Sequence, residues 1–294
     1  MTSPFPELVT PSERPADLPD FASPPVVEVA LGIQFAELTA YRTWHAGLLW
    51  DSTFRARFPQ CIEQPPIEPA FELFGTQPPS RELLRIQTLS GPIVPRLWFI
   101  SRDNTELVQF QSDRFLHNWR NYGSGSEYPR YEKVRDRFFE ELASVKKFLR
   151  LWQVGEITTN QCEVSYYNHI PMNDSRGDVF LFGDVFNGFP PRQSSGASDI
   201  THSIRFEGGQ FHIQYVITGP DNNAPRGRLH VSAEPVVDAN GNPVVSLCLT
   251  ARGSPLSPGI GGVADFFDLG REAIVRTFTA VTSEKMHSIW ERNK

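Results

Sequence analysis

Side chains that can grip an anion are concentrated in one stretch, TELVQFQSDRFLHNWRNYGSGSEYPRY, residues 105–131. Successive side chains of a strand point to opposite faces. Gln109 and Gln111 therefore share a face of a strand over 107–111, and Arg114, Asn118 and Arg120 share a face of the strand that returns after a turn at Ser112 and Asp113. A guanidinium is a rigid fork of donors that fits a carboxylate or a phosphate in bidentate fashion. With Tyr166 and Asn168 from a later strand, this polar face reads as a surface for a small anionic ligand or a protein segment. The competing reading is a structural network in which the same groups satisfy one another, as buried polar groups do in most proteins. An arginine cannot shed its charge, so a buried one is expected to pair with a carboxylate, Glu132 and Glu163 being the candidates.

The alternative is an enzyme of unknown class using a cleft around Arg114, Asn118, Arg120 and His169, with Glu132, Glu163 or His169 as acid or base. No paired acid and nucleophile stands out, and no GxSxG elbow is present. The seven histidines form no HxH or HExxH pattern, so no metal site is expected. SPLSPGIGG at 254–262 lacks the lysine of a phosphate loop, and no cofactor is expected. Cys61, Cys162 and Cys248 are odd in number and far apart, which reads as reduced, buried thiols in a cytoplasmic protein. The preferred reading is a non-enzymatic binding module.

The runs LVQFQSDRFLHNWR, YPRYE, EVSYYNHI at 163–170 and PPVVEVALGIQF near the start are similar, in this order, to recurring blocks of a sporadically distributed bacterial family with no established activity. The resemblance implies a fold but no catalytic residue and no cofactor.

The elements that must position the polar face follow from periodicity. Residues 1–25 carry seven prolines and read as an extended tail. VVEVALGIQF is the first core strand by its β-branched content. Tyr41, Trp44, Leu48, Phe54 and Phe58 keep helical spacing and predict an amphipathic helix over 40–58. Prolines from 59 to 79 predict an irregular connection with one short edge strand. Strands are expected over 83–89 and 96–101. Trp119 is expected on the buried face beside Phe115. A long helix starts after Pro129, with Tyr131, Val134, Phe138, Leu142, Val145, Leu149 and Trp152 keeping the helical spacing of one apolar face, and ends at Gly155.

The second half opens with CEVSYYNHI, whose Glu163-Val164 repeats Glu28-Val29 as a hint of duplication. A meander over 204–251 follows, then a helix around Phe266 to Phe278 and a short terminal helix capped by Thr282. Strands cluster in runs and do not alternate with helices, which predicts an α+β fold of two antiparallel-sheet units, each packed against a long amphipathic helix. The units are 26–155 and 156–294, with the boundary at Gly155. A formal charge of -6 and a pI near 5.7 argue against sequence-independent nucleic-acid binding, which needs a basic face. No run of 18 apolar residues predicts a membrane span, and oligomerisation is left open.

Overall fold

The β-branched run after Pro24 and Pro25 forms β1 (Val26–Phe35), and it sits in the middle of the molecule. Val29, Leu31, Ile33 and Phe35 point to one face and are buried. On one side β1 pairs antiparallel with β5 (Arg114–Arg120), and on the other with β6 (Thr159–Pro171). Outward from β5 come β4 (Glu106–Gln111), β3 (Arg96–Ile100) and the edge strand β2 (Gln60–Gln64). Outward from β6 come β9 (Pro243–Gly253), β8 (Pro225–Val237) and the edge strand β7 (Phe211–Thr218). The nine strands form one antiparallel sheet in a mixed α+β protein, and the two runs of strands join through β1 and β6. The computed structural model describes residues 9, 12–75, 94–121, 125–173, 180, 182–189, 209–219, 224–238 and 240–293. The strands expected over 83–89 and 204–206 lie outside the described residues.

Two long helices cover one face of the sheet. The first, α2 (Tyr131–Leu151), follows α1 (Thr43–Leu49) in chain order and packs on β5 and β1. The short α3 (Phe182–Val185) comes next, and then the second long helix, α4 (Gly259–Val281), which packs on β6, β9 and β8. The chain closes with α5 (Glu284–Ile289). Aromatic rings join sheet to helix and helix to helix, as in Phe115 of β5 against Phe138 of α2 at 5.3 Å and Phe138 against Phe267 of α4 at 4.9 Å. Trp119 is buried on this face beside Phe115, its ring 5.2 Å from that of Tyr128.

Three local expectations are corrected. The helix over 40–58 is α1 followed by a π-helical turn at Trp50–Phe54, closed by the Arg55 amide donating to the Trp50 carbonyl. Ser52 Oγ donates to the Leu48 carbonyl at 2.6 Å. The cap of α5 is Ser283, whose hydroxyl accepts from the Met286 amide. Thr282 instead ends α4, its hydroxyl donating to the Phe278 carbonyl at 2.7 Å. Of the three thiols, only Cys162 is buried; Cys248 is half-buried and Cys61 exposed on the edge strand.

Helix α4 comes close to the sheet over two glycines. Gly227 and Gly253 face each other across β8 and β9, and the Phe266 ring of α4 lies on the pair. A Cβ on Gly253 would sit 2.6 Å from Phe266 Cε2 and closer still to the Arg226 carbonyl oxygen. Gly253→Ala should therefore destabilise by about 1–3 kcal/mol, the usual cost of overpacking. Gly47→Ala, in an exposed turn of α1 with open space around it, should stabilise by about 0.5–1 kcal/mol. Urea denaturation of the two variants checks the opposite signs.

Candidate functional site

The face of the sheet away from α2 and α4 carries the polar alternates of every central strand. Cross-strand register sets them in rows: Gln111 opposite Arg114, Arg114 opposite Gln34, and then Glu163 opposite Arg252 and Arg252 opposite Arg228. A segment of the chain, residues 65–75, lies across these rows. It leaves the sheet at the end of β2 and returns over its polar side.

The face holds this strap mainly by its backbone. Gln111 Nε2 donates to the Ile67 carbonyl and Gln111 Oε1 accepts from the Ile67 amide, both at 2.9 Å. Gln34 repeats the pattern three residues on, donating to the Ala70 carbonyl at 3.0 Å and accepting from the Ala70 amide at 2.8 Å. Each glutamine thus imitates one rung of a strand ladder. Arg114 donates to the Glu68 carbonyl at 2.9 Å and Arg228 to the Leu73 carbonyl at 3.1 Å.

From β4 to β8 the strap crosses five strand steps, about 24 Å at about 4.8 Å per step. Ile67 to Leu73 covers about 19–20 Å if fully extended, at about 3.1–3.4 Å per residue, and the long side chain of Arg228 reaches the rest. The segment has to run extended to make these contacts.

Its one buried charge is Glu72. The carboxylate pairs with Arg228, accepts from His230 Nε2 at 2.7 Å and lies 3.5 Å from Arg252, with its side chain 5% exposed. Burial by itself would push this carboxyl up. The hydrogen bonds and charges of His230 and Arg228 outweigh burial and hold it below its ordinary value. Arg252 also pairs with Glu163 at 2.7 Å.

Five of the seven residues expected to bind a ligand are on this face, in two roles. Gln111 and Arg114 hold the strap. Gln109 accepts from Arg96 at 2.9 Å and from Trp98 Nε1 at 3.1 Å, and donates to Asn118 Oδ1 at 2.9 Å. Asn118 in turn donates to Glu28. Arg120 Nε donates to the Asn104 carbonyl at 2.9 Å. Tyr166 and Asn168 are not brought to this face, because their positions on β6 alternate with Glu163 and place them under the helices. Tyr166 shares a hydrogen bond with Tyr128 at 3.1 Å, and burial pushes its phenol up to about 12. Asn168 donates to the Leu247 carbonyl at 3.0 Å.

The carboxylates expected to answer Arg114 and Arg120 go elsewhere. Glu163 pairs with Arg252, and Glu132 with Arg271 of α4 at 3.0 Å. The acid-base set does not converge either. Glu132 lies on the helix side, while Glu163 and His169 are six residues apart on one strand, about 20 Å. Burial pushes the Cys162 thiol up, and that of Cys248 to about 11, away from a nucleophilic thiolate. Among the described residues no group of three or more His, Cys, Asp or Glu side chains is placed to hold a metal ion, and no helix is long and apolar enough to cross a membrane.

Gln34, Glu72, Arg228, His230 and Arg252 were missed as a group by sequence reasoning. The signal was present in the proline-punctuated acidic run PPIEPAFELF at 65–74, whose period of three fits neither helix nor strand. Comparison of the chain with family models, with curated proteins and with solved structures finds no match.

The docking of the strap should depend on pH. Because the Glu72 pKa is depressed in the folded protein, its contribution to stability is present above the ordinary glutamate value, about 4.3, and is lost as the pH falls through the depressed value. Glu72→Gln should thus lower the urea midpoint at about pH 7, and the difference from the wild type should close by about pH 3. A difference that stays constant across this range would show that the carboxylate charge is not what holds Glu72.

Proposed function

We propose that the chain is a non-enzymatic interaction module whose polar sheet face takes an extended peptide segment, residues 65–75 being its occupant in the resting protein. One observation carries the reading: the face grips backbone, through paired glutamine amides on Ile67 and Ala70 that stand in for the rungs of a strand ladder. Peptide surfaces commonly draw affinity from main-chain hydrogen bonds and specificity from a few side-chain pockets.

The architecture we propose for it is two α+β units, 26–155 and 156–294, each backed by its own long helix and related by duplication. Several correspondences support this. Glu28-Val29 and Glu163-Val164 lie on the two central strands, and Arg120 lies opposite Glu28 as Arg252 lies opposite Glu163. The helices carry matching pairs, Glu132 with Arg135 on α2 and Asp268 with Arg271 on α4, which bind each other reciprocally: Arg135 to Asp268 at 3.2 Å, Arg271 to Glu132 at 3.0 Å. The polar face is then a joint surface of both units.

The test is a labelled peptide of residues 64–75 titrated into the full-length protein. In the wild type the tethered strap competes at a high effective concentration. The double variant Ala70→Pro, Glu72→Gln removes the amide donated to Gln34 and the buried charge. It should bind the peptide roughly tenfold or more tightly than the wild type does. Absence of saturable binding to the loosened protein, with its fold checked by circular dichroism, would overturn the proposal.

A further inference from the structure

Resting on the reading of the polar face as a peptide surface, we infer that its partner is an acidic, proline-punctuated extended segment. One carboxylate of that segment enters the basket formed by Arg228, His230 and Arg252, two residues beyond a small residue held by Gln34.

The register of the strap defines the class. Main-chain amides are read at Ile67 and Ala70, three residues apart. That spacing is one turn of a polyproline II helix, with about three residues per turn. Pro65, Pro66 and Pro69 all fall at positions whose amide hydrogen the face does not use, so proline is tolerated there. Its fixed φ also removes part of the ordering entropy that a flexible segment would lose on docking. Ile67 and Ala70 are half-buried, whereas Phe71 and Leu73 are exposed, Leu73 at 71%. Recognition therefore falls on the backbone at two positions and on the side chain of Glu72.

The basket favours a carboxylate over a phosphate. Two guanidiniums and an imidazole converge on Glu72, but Glu163 already pairs with Arg252 from the other side. A phosphate would bring close to a second negative charge against Glu163, where a carboxylate brings one. The geometry of the neighbours thus sets an upper limit on the charge of the ligand as well as its sign. A partner protein would present this chemistry in an extended, acidic, proline-containing stretch.

The test uses full-length Ala70→Pro, Glu72→Gln protein and labelled peptides of residues 64–75, read by fluorescence anisotropy. Changing the glutamate of the peptide at position 72 to glutamine should weaken binding roughly tenfold or more, since it leaves a buried cationic basket without its anion. Changing the leucine at position 73 to alanine should alter binding by less than about twofold, because that side chain makes no pocket contact. A phosphoserine at position 72 should bind more weakly than the parent glutamate peptide. If the glutamine peptide binds as well as the parent, or the phosphoserine peptide binds more tightly, the assigned class is wrong while the peptide surface stands. If the parent peptide itself fails to bind, the surface reading beneath it falls. Glu72→Gln protein is run in parallel, so that loss of fold in the double variant cannot mimic either outcome.

Discussion

An arginine keeps its charge wherever the fold puts it, and the charged partners it finds tie this molecule together. Arg135 and Arg271 are almost fully buried between the two long helices. Each is answered by a carboxylate of the other helix, so neither helix can leave without stranding a cation from its neighbour. On the far side of the sheet Arg228 and Arg252 are answered by Glu72 and Glu163, the first carried on a connector and the second on a central strand. Arg57, after the π-turn, reaches Glu141 of α2 at 3.0 Å and so secures the edge of the first half. That carboxylate also accepts His117 at 2.7 Å, a buried histidine on the helix side of β5.

The frame was legible where side-chain period alone decides it. The alternation in β4 and β5 put Arg114, Asn118 and Arg120 on one face, and the apolar spacing of α2 fixed its start and its buried side, though the helix stops at Leu151, short of Gly155. The same period already separates Glu163 from Tyr166, three positions apart on one strand and so on opposite faces, against the expectation that both serve one site. What could not be read was register, which sets Glu163 opposite Arg252. The π-turn was invisible because Trp50 and Phe54 keep the same apolar spacing a regular helix would show. The strap escaped for a different reason: its proline-punctuated run marks the segment itself, but its contacts come from glutamines on β1 and β4, far apart in sequence, so the receptor carries no local mark.

The fate of each polar residue also separates network from site. Gln109, Asn118 and Glu28 hand hydrogen bonds to one another along the face, which makes them a rigid floor. Gln34 on β1 and Gln111 on β4, the two strands flanking Asn118's β5, turn the same chemistry upward onto a backbone. Amide side chains serve both ends because each offers a donor and an acceptor on one planar group.

The strap has a mechanical consequence. Neighbouring strands are rotated by roughly 20–25° on average, so five steps accumulate roughly 100° or more of turn beneath residues 67–73. A tie of fixed length, anchored at Gln111, Gln34 and Arg228, spans the seam where β1 meets β6 and can be satisfied at only a narrow range of pitch. The sheet's torsion is therefore set partly from outside its own hydrogen-bond ladder, by a guy-line whose slackening would let the two ends of the sheet wind or unwind about that seam.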